Sequence, residues 1–471
     1  MNETLPKGWI RTIIDYVGII STGNTPPKKN KENYGKDIHF VKPGDLEYGG
    51  NVSSTLEMLS CKGAKLARLI PPKTVMVTCI GNLGKVGIAK ITLATNQQIN
   101  SIQFNQSIVI AQFGYYYCLT MKDWLINQSS ATTLPIINKS KFSKAPITLP
   151  PLNEQKRIVA KLDKIIPRID AVKERLDKIP TIIKRFRQSV LTAAVTGKLT
   201  EKWREEHPNV ENSQNEFYTP HNWKIVKINN LVKSLKTDLR TGPFGTALKK
   251  SEHKIEGIPV WGIESIGKNG EFTHKNKIFV DDDKAKVLKS FSATGGDIII
   301  SRSGTVGELC ILPDDIPFGL ISTNLLKISL NRKTIVPKFF CFLLKGSVEI
   351  LNKMSELCSG STRLFLTQRI LKSLNYLLPP LEEQKEIVRQ VDKLFVMANK
   401  LEEHYQNAKE KIDKLSQSVL AKAFRGELVP QDPNDEPAEK LLERIMEEKA
   451  KMEVELKKSK QKTRKRIKNV L

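Results

Sequence analysis

The sequence predicts an α+β protein: two mixed α/β domains alternating with two long coiled-coil helices, arranged as an internal pseudo-two-fold repeat. Three observations lead there. A motif-rich segment recurs 229 residues downstream, each copy runs into a sustained heptad pattern, and upstream of each lie short β-favouring runs that close at paired glycines.

The repeat comes first because it organises everything else. Leu149-Pro150-Pro151-Leu152-Asn153-Glu154-Gln155 returns as Leu378-Pro379-Pro380-Leu381-Glu382-Glu383-Gln384. At the same offset Gln188-Ser189-Val190-Leu191 returns as Gln417-Ser418-Val419-Leu420, and Gly197-Lys198-Leu199 as Gly426-Glu427-Leu428. Upstream the copies drift: Pro6-Lys7-Gly8-Trp9 and Pro220-His221-Asn222-Trp223 are 214 apart, and Gly81-Asn82-Leu83-Gly84 and Gly304-Thr305-Val306-Gly307 are 223 apart. Two adaptable domains therefore feed two spacers of matched length.

The spacers read as helices. Each opens on Pro-Pro with acidic residues close behind, where negative charge suits the positive end of the helix dipole. Apolar residues follow at Ile158, Leu162, Ile165, Ile169, Val172, Leu176, Ile179, Ile183, Phe186 and Val190, and again at Ile387, Val391, Leu394, Ala398, Leu401, Tyr405, Ala408, Ile412, Leu415 and Val419. Alternating steps of four and three make a coiled-coil seam. The competing reading is an amphipathic helix on a globular core, which seldom keeps a strict 3.5 period this long. Pro167 and Pro180 are expected to kink or interrupt the first helix, because each lacks an N–H and crowds the preceding turn. Gly197 and Gly426 stand where helix C-caps belong.

Upstream, Thr74–Thr78 and Asp297–Ser301 are β-favouring runs ending at the paired glycines and followed by Val86-Gly87-Ile88 and Leu309-Cys310-Ile311. A strand, tight turn and strand fit both copies. Trp124-Leu125-Ile126 and Phe339–Leu344 look helical. Asp432–Glu436 reads as a Pro-rich acidic turn, and Ala438–Leu456 as a polar helix leading into a basic tail. The resulting boundaries are 1–150 and 201–378 for the domains, 151–200 and 379–430 for the spacers, and 431–471 for the C-terminal helix and tail.

Charge narrows the function. Net charge is +26 over 471 residues; Lys457–Leu471 supplies eight positive charges, leaving +18 elsewhere. So basic a chain attracts polyanions through counterion release, nucleic acid foremost. No run reaches the ~18 apolar residues a membrane helix needs, and the N-terminus does not read as a secretory signal, so a cytoplasmic location is expected, with no membrane partner. The six cysteines lack CxxC spacing and read as buried thiols, and the scattered histidines give no metal site.

Tandem PxxW, GxxG after a strand, PPLxEQ, QSVL and GKL or GEL, closing on Gly426-Glu427-Leu428-Val429-Pro430-Gln431-Asp432-Pro433, resemble the specificity subunits of type I restriction-modification enzymes along almost the whole chain. The resemblance implies two target-recognition domains held by two antiparallel helices. Each domain reads half of a split site on double-stranded DNA. The helices dock methyltransferase subunits, two copies of an adenine-N6 enzyme, to which motor-nuclease restriction subunits add. The extended basic tail departs from that pattern. A stand-alone DNA-binding regulator and a coiled-coil scaffold are the rival classes; neither accounts for both the paired domains and the long helices.

No catalytic residue and no cofactor is expected. The chain has no Asn-Pro-Pro-Phe-like tetrapeptide to hold a target amine, and no Ser or Thr follows a Gly-Lys pair as a phosphate-cradling loop requires. DNA contacts are expected from loops. Thr78–Lys85 aligns on Ser301–Glu308, which singles out Asn82, Lys85, Arg302, Ser303 and Thr305, with Arg302 suited to guanine O6 and N7 or to a phosphate. A purely structural hairpin turn is the competing reading. A second loop pair, Ser129–Leu134 and Cys358–Arg363, adds Arg363 with Lys139, Lys141 and Arg369 nearby, residues suited to phosphate positioning; here a solvated loop is the alternative. Lys28, Lys29, Lys249 and Lys250 close two earlier loops.

Overall fold

The computed structural model describes residues 5–47, 49–130, 134–208, 223–244, 247–267, 270–275, 278–358, 365–444 and 446–447. The chain divides into two compact units, Met1–Leu176 with Asn407–Leu471, and Asp177–Gln406. The division cuts through both long helices, Leu152–Val195 and Leu381–Arg425, so each unit holds the beginning of one and the end of the other.

Within the first unit, Ile10–Ile13 pairs antiparallel with Pro146–Leu149 and returns the chain to the start of the first long helix. The main sheet runs in the order Gly18–Thr22, Ile99–Phe104, Val75–Thr78, Val86–Ala89, Asn51–Val52. A smaller sheet orders Met58–Leu59, Tyr34–Val41, Leu93–Thr95 and Leu69–Ile70. The second unit repeats the plan. Lys224–Val226 pairs with Tyr376–Leu378; the main sheet runs Leu239–Thr241, Leu325–Ile328, Ile298–Ser301, Leu309–Ile311; the smaller one is Ile278–Val280, Ile258–Trp261, Gly319–Ile321, Ser292–Ala293. Val75–Thr78 and Ile298–Ser301 are buried at every position, as apolar runs that end on a single hydroxyl suit. The expected hairpins are present, Val77 opposite Val86 and Ile300 opposite Leu309, and so are the expected helices, within Lys122–Gln128 and Pro337–Gly346.

The recurring motif is a set of clamps. Trp9 Nε1 donates to Glu154 Oε2 at 3.0 Å, and Trp223 Nε1 to Glu383 Oε2 at 2.8 Å. Gln155 donates to the carbonyls of Ile108 and Pro150 and accepts from the Ile110 N–H; Gln384 donates to Thr334 and Pro379 and accepts from Val336. Both glutamines are buried, so each side chain satisfies three backbone groups that would otherwise lack partners. PxxW and PPLxEQ thus join each domain to the helix that follows it.

The first long helix runs without the interruption expected at Pro167 and Pro180. Each proline removes one ladder bond, at about 3 kcal/mol. Packing nearby outweighs that, with Leu162 and Ile169 buried in the first unit and Ile183 and Val190 in the second. The helices run antiparallel. In the first unit Lys173 pairs with Asp413 at 3.1 Å; in the second Arg187 meets Glu402 at 2.9 Å while Val190 and Leu191 share a core with Ile387 and Val391. Seam burial is uneven, for Val172, Phe186, Leu401 and Leu415 are exposed. Both helices end as expected at left-handed glycines, Gly197 (φ 78°) and Gly426 (φ 79°).

Each unit is completed by the segment after the helix that ends in it. Thr200 Oγ1 donates to Glu383 Oε1 at 2.8 Å and Arg204 pairs with the same carboxylate. In the first unit Arg157 pairs with Asp435 at 2.7 Å, the Ala438 N–H donates to the Gly8 carbonyl, and Leu441 and Leu442 enter the core. The stretch expected to be a polar helix is therefore anchored by an apolar side; the part of it beyond residue 447, with the basic tail, lies outside the described residues. Five cysteines are buried as expected, and Cys61 is exposed. Burial pushes the Cys79 thiol up to about 12. No helix among the described residues is long and apolar enough to cross a membrane.

Candidate nucleic-acid interface

The two hairpin tips share one backbone frame. In the first unit the Thr78 hydroxyl donates to the Asn82 carbonyl at 2.6 Å and accepts from the Lys85 N–H at 2.9 Å, and the Gly84 N–H donates to the Thr78 carbonyl. In the second the Ser301 hydroxyl donates to the Thr305 carbonyl and accepts from the Glu308 N–H at 3.1 Å, and the Gly307 N–H donates to the Ser301 carbonyl. A hydroxyl inside the turn thus holds each loop from within. Gly81, Gly84, Gly304 and Gly307 all have φ between 74° and 88°, the left-handed region that the turn demands.

Neighbouring segments pin the residue after each hydroxyl on both sides. Cys79 N–H donates to the Gln98 carbonyl at 2.8 Å and its carbonyl accepts from Ile137 at 2.9 Å; Arg302 N–H donates to Asn324 at 2.9 Å and its carbonyl accepts from Leu366 at 2.9 Å. The early loops close the same edge. The Asn24 N–H donates to the Thr95 carbonyl, Thr25 bonds to Gln97, and the Thr323 hydroxyl donates to the Pro243 carbonyl at 2.6 Å. Hairpin tip, early loop, returning turn and the segment before the last strand therefore converge on one edge of each main sheet.

The expected site residues fare differently on this edge. Asn82 and Thr305 are exposed at the tips. Ser303 is half-buried and donates to Asn324 Oδ1 at 2.8 Å. Lys85 is committed to Glu47 at 3.0 Å and is 18% exposed, so it braces the hairpin from the side. Lys28, Lys29, Lys139, Lys249, Lys250 and Arg369 are exposed and form no ion pair among the described residues. Lys141 is also exposed and donates to the Gln128 carbonyl at 3.2 Å. Lys139 and Lys141 follow Asn138, which caps their short helix and directly follows the pinned Ile137. Arg363 lies outside the described residues, as do 131–133 of the first Ser/Thr-rich loop and 359–362 of the second.

Two contributors escaped the sequence reading. Asn324 fixes both the backbone of Arg302 and the hydroxyl of Ser303, and the Phe365 ring lies 5.6 Å from the Arg302 guanidinium. Both reach the tip from distant parts of the chain.

A repeated frame that presents two homologous sets of polar loops is the build of a recognition protein. The chain belongs to the type I restriction-modification DNA specificity family, whose domain matches residues 6–181 and 220–410. It is a DNA specificity subunit of a type I restriction-modification system, the non-catalytic component of such an enzyme, and forms part of that assembly. Over 95% of its length it is 29% identical to the type I restriction enzyme EcoBI specificity subunit of Escherichia coli, covering 94% of that protein. It is 27% identical to the EcoKI specificity subunit of E. coli strain K12, covering 95% of this chain and 96% of that one. The fold is similar to a chain from a type I restriction-modification complex (TM-score 0.69, 20% identity, 90% of this chain and 100% of that one). It is also similar to the HsdS subunit of Thermoanaerobacter tengcongensis (TM-score 0.52, 21% identity, 91% and 99%).

Proposed function

We propose that residues 1–150 and 201–378 are two target-recognition domains, each reading one half of a split DNA site, and that residues 151–200 and 379–430 are spacers that dock the partners. The observation that carries this reading is the repeated loop edge, where one backbone frame bears different side chains in the two units: Cys79 against Arg302, Asn82 against Thr305. A constant frame with variable heads suits two independent readers. The unpaired lysines around the edge supply the sequence-independent attraction to phosphates.

The long helices carry the assembly role. Ile182, Val396, Met397 and Leu401 stand exposed on them in the second unit, beside a groove of about 670 Å³ walled by Leu191, Phe342, Phe395 and Val396. Apolar surface of this kind suits two adenine-N6 methyltransferase subunits, with restriction subunits joining through them, and the complex works in the cytoplasm where the DNA is. Residues 431–444 close the first unit, and the sequence after them runs into a basic tail.

The test is exchange of residues 1–150 for the equivalent domain of a relative, followed by co-expression with methyltransferase subunits and mapping of modified adenines. One half of the split site should change and the other remain. A change in both halves, or copurification with no methyltransferase, overturns the reading.

A further inference from the structure

Among the described cations of the reading edge, Arg302 has an environment of its own. Its backbone is held on both sides, N–H to Asn324 and carbonyl from Leu366, each at 2.9 Å. Leu366 is fully buried and anchors the strip of chain that carries Phe365, whose carbonyl accepts from Cys358 Sγ at 3.4 Å. The Phe365 ring faces the guanidinium at 5.6 Å. The residue is half-buried, yet its guanidinium makes no hydrogen bond or ion pair among the described residues, and its Nε is shut off from solvent without a partner.

An unpaired Nε is costly, and because it is closed to solvent an incoming acceptor can satisfy only the other N–H donors of the fork. A guanidinium carries five N–H donors and no acceptor, and a buried donor without a partner forfeits the hydrogen bonds it had in water. The aromatic face offsets part of that loss through the cation–π attraction and fixes the plane of the fork. Fixing the plane is not essential where the acceptor is a phosphate, whose oxygens also take the fork bidentately but can turn to meet it. It matters to a planar pair of acceptors at a set height in the major groove, and O6 with N7 of guanine is the pair to which arginine bonds bidentately.

The first unit supplies the contrast. Cys79 sits in the same frame, pinned by Gln98 and Ile137 as Arg302 is by Asn324 and Leu366, and is 2% exposed. A buried thiol presents no fork.

We infer that Arg302 is the specificity-determining residue for one guanine in the half-site read by the second unit, that Phe365 and Asn324 are its positioning residues, and that the first unit reads its half-site without an arginine at this position. The inference rests on the reading of the chain as a two-headed specificity subunit. It turns that reading into one base at one position.

The experiment compares assembled complexes carrying the natural chain, Arg302→Ala, Phe365→Leu and Phe365→Tyr, by mapping modified adenines and by measuring binding to duplexes varied one base pair at a time. The natural complex should require a guanine in the second half-site. Arg302→Ala should lose preference at that position alone by roughly 5- to 150-fold. Phe365→Leu should weaken the same position, and Phe365→Tyr, which keeps an aromatic face, should restore it. Unchanged reading of the first half-site reports that each variant is folded and assembled. Weakening that is equal on all sequences, with a salt slope reduced by about one, makes Arg302 a phosphate contact and overturns the assignment. So does an unaltered preference, or one altered in both halves. If the natural complex modifies no split site, the two-headed reading has failed and the assignment falls with it; a split site indifferent to Arg302 removes the assignment only.

Discussion

Glu154 and Glu383 hold the same motif position and accept from equivalent tryptophans, but their remaining oxygens differ. Glu383 Oε1 receives Thr200 and Arg204, whereas Glu154 Oε1 is buried without a hydrogen-bond partner, because Arg157 turns to Asp435. At the 229 offset Thr200 and Arg204 correspond to Val429 and Pro433, neither of which has a side-chain donor. Burial accordingly raises the Glu154 carboxyl above its ordinary value of 4.5, against the lowering effect of the Trp9 bond. The folded chain then holds that proton more tightly than the unfolded one, so the stability from this group is full below the ordinary value and is lost as pH rises through the folded one. Glu154→Gln should remove the decline, so hydrogen exchange in the Ile10–Ile13 and Pro146–Leu149 pair should slow relative to the natural chain as pH rises above about 4.5. Glu383→Gln should act oppositely, costing about 2–4 kcal/mol in the second unit at neutral pH by leaving Arg204 without its charge partner, read at the Lys224–Val226 and Tyr376–Leu378 pair. The tandem motif was plain in the sequence, but this asymmetry was not, because the donors come from segments far along the chain.

The long helices separate what periodicity reports from what it does not. Ten a/d positions in each copy marked the helices and their shared face, and the glycine caps marked their ends, since helix period and left-handed turns are local properties. What covers the face is decided by neighbours: Leu162 and Val391 are fully buried while Leu401 is 57% exposed at an equally regular position. The main hairpins were legible from β-favouring runs and glycines. The smaller sheets were not, because apart from Tyr34–Val41 their strands run to only two to four residues, as in Met58–Leu59 and Ser292–Ala293, too short to carry a period. At the loop edge the glycine turns were legible, but Asn324 and Phe365 join it only through folding. Exposure on the seam yields its own expectation. Leu401→Glu should change stability by no more than about 0.5 kcal/mol, as for other exposed sites. It should lower methyltransferase copurification by about tenfold or more if the helix face is a central docking contact. Copurification at the natural level would move the docking surface elsewhere.

For the molecule as a whole, the motifs that open and close the two spacers repeat at the single offset of 229 while those of the preceding domains drift by up to 15 positions, and the helices they bound are 44 and 45 residues long. A length kept constant beside variable domains is what a ruler requires. Lys173 faces Asp413, so residues 170–176 and 410–416 are facing heptads. Deleting both keeps the remaining seam in register and shortens each helix by roughly 10 Å at ~1.5 Å per residue. On duplex DNA that equals about three base-pair steps of ~3.4 Å, which also turn the helix by about a third of its ~10.5 bp repeat. Losing two heptads does not supply that rotation. The variant should therefore lose its natural split site, and any site it recovers should keep both half-sites with a shorter gap. Mapping modified adenines on a library of graded gaps decides the matter: a stably folded variant that still modifies the natural spacing at full efficiency shows that the helices do not set the distance.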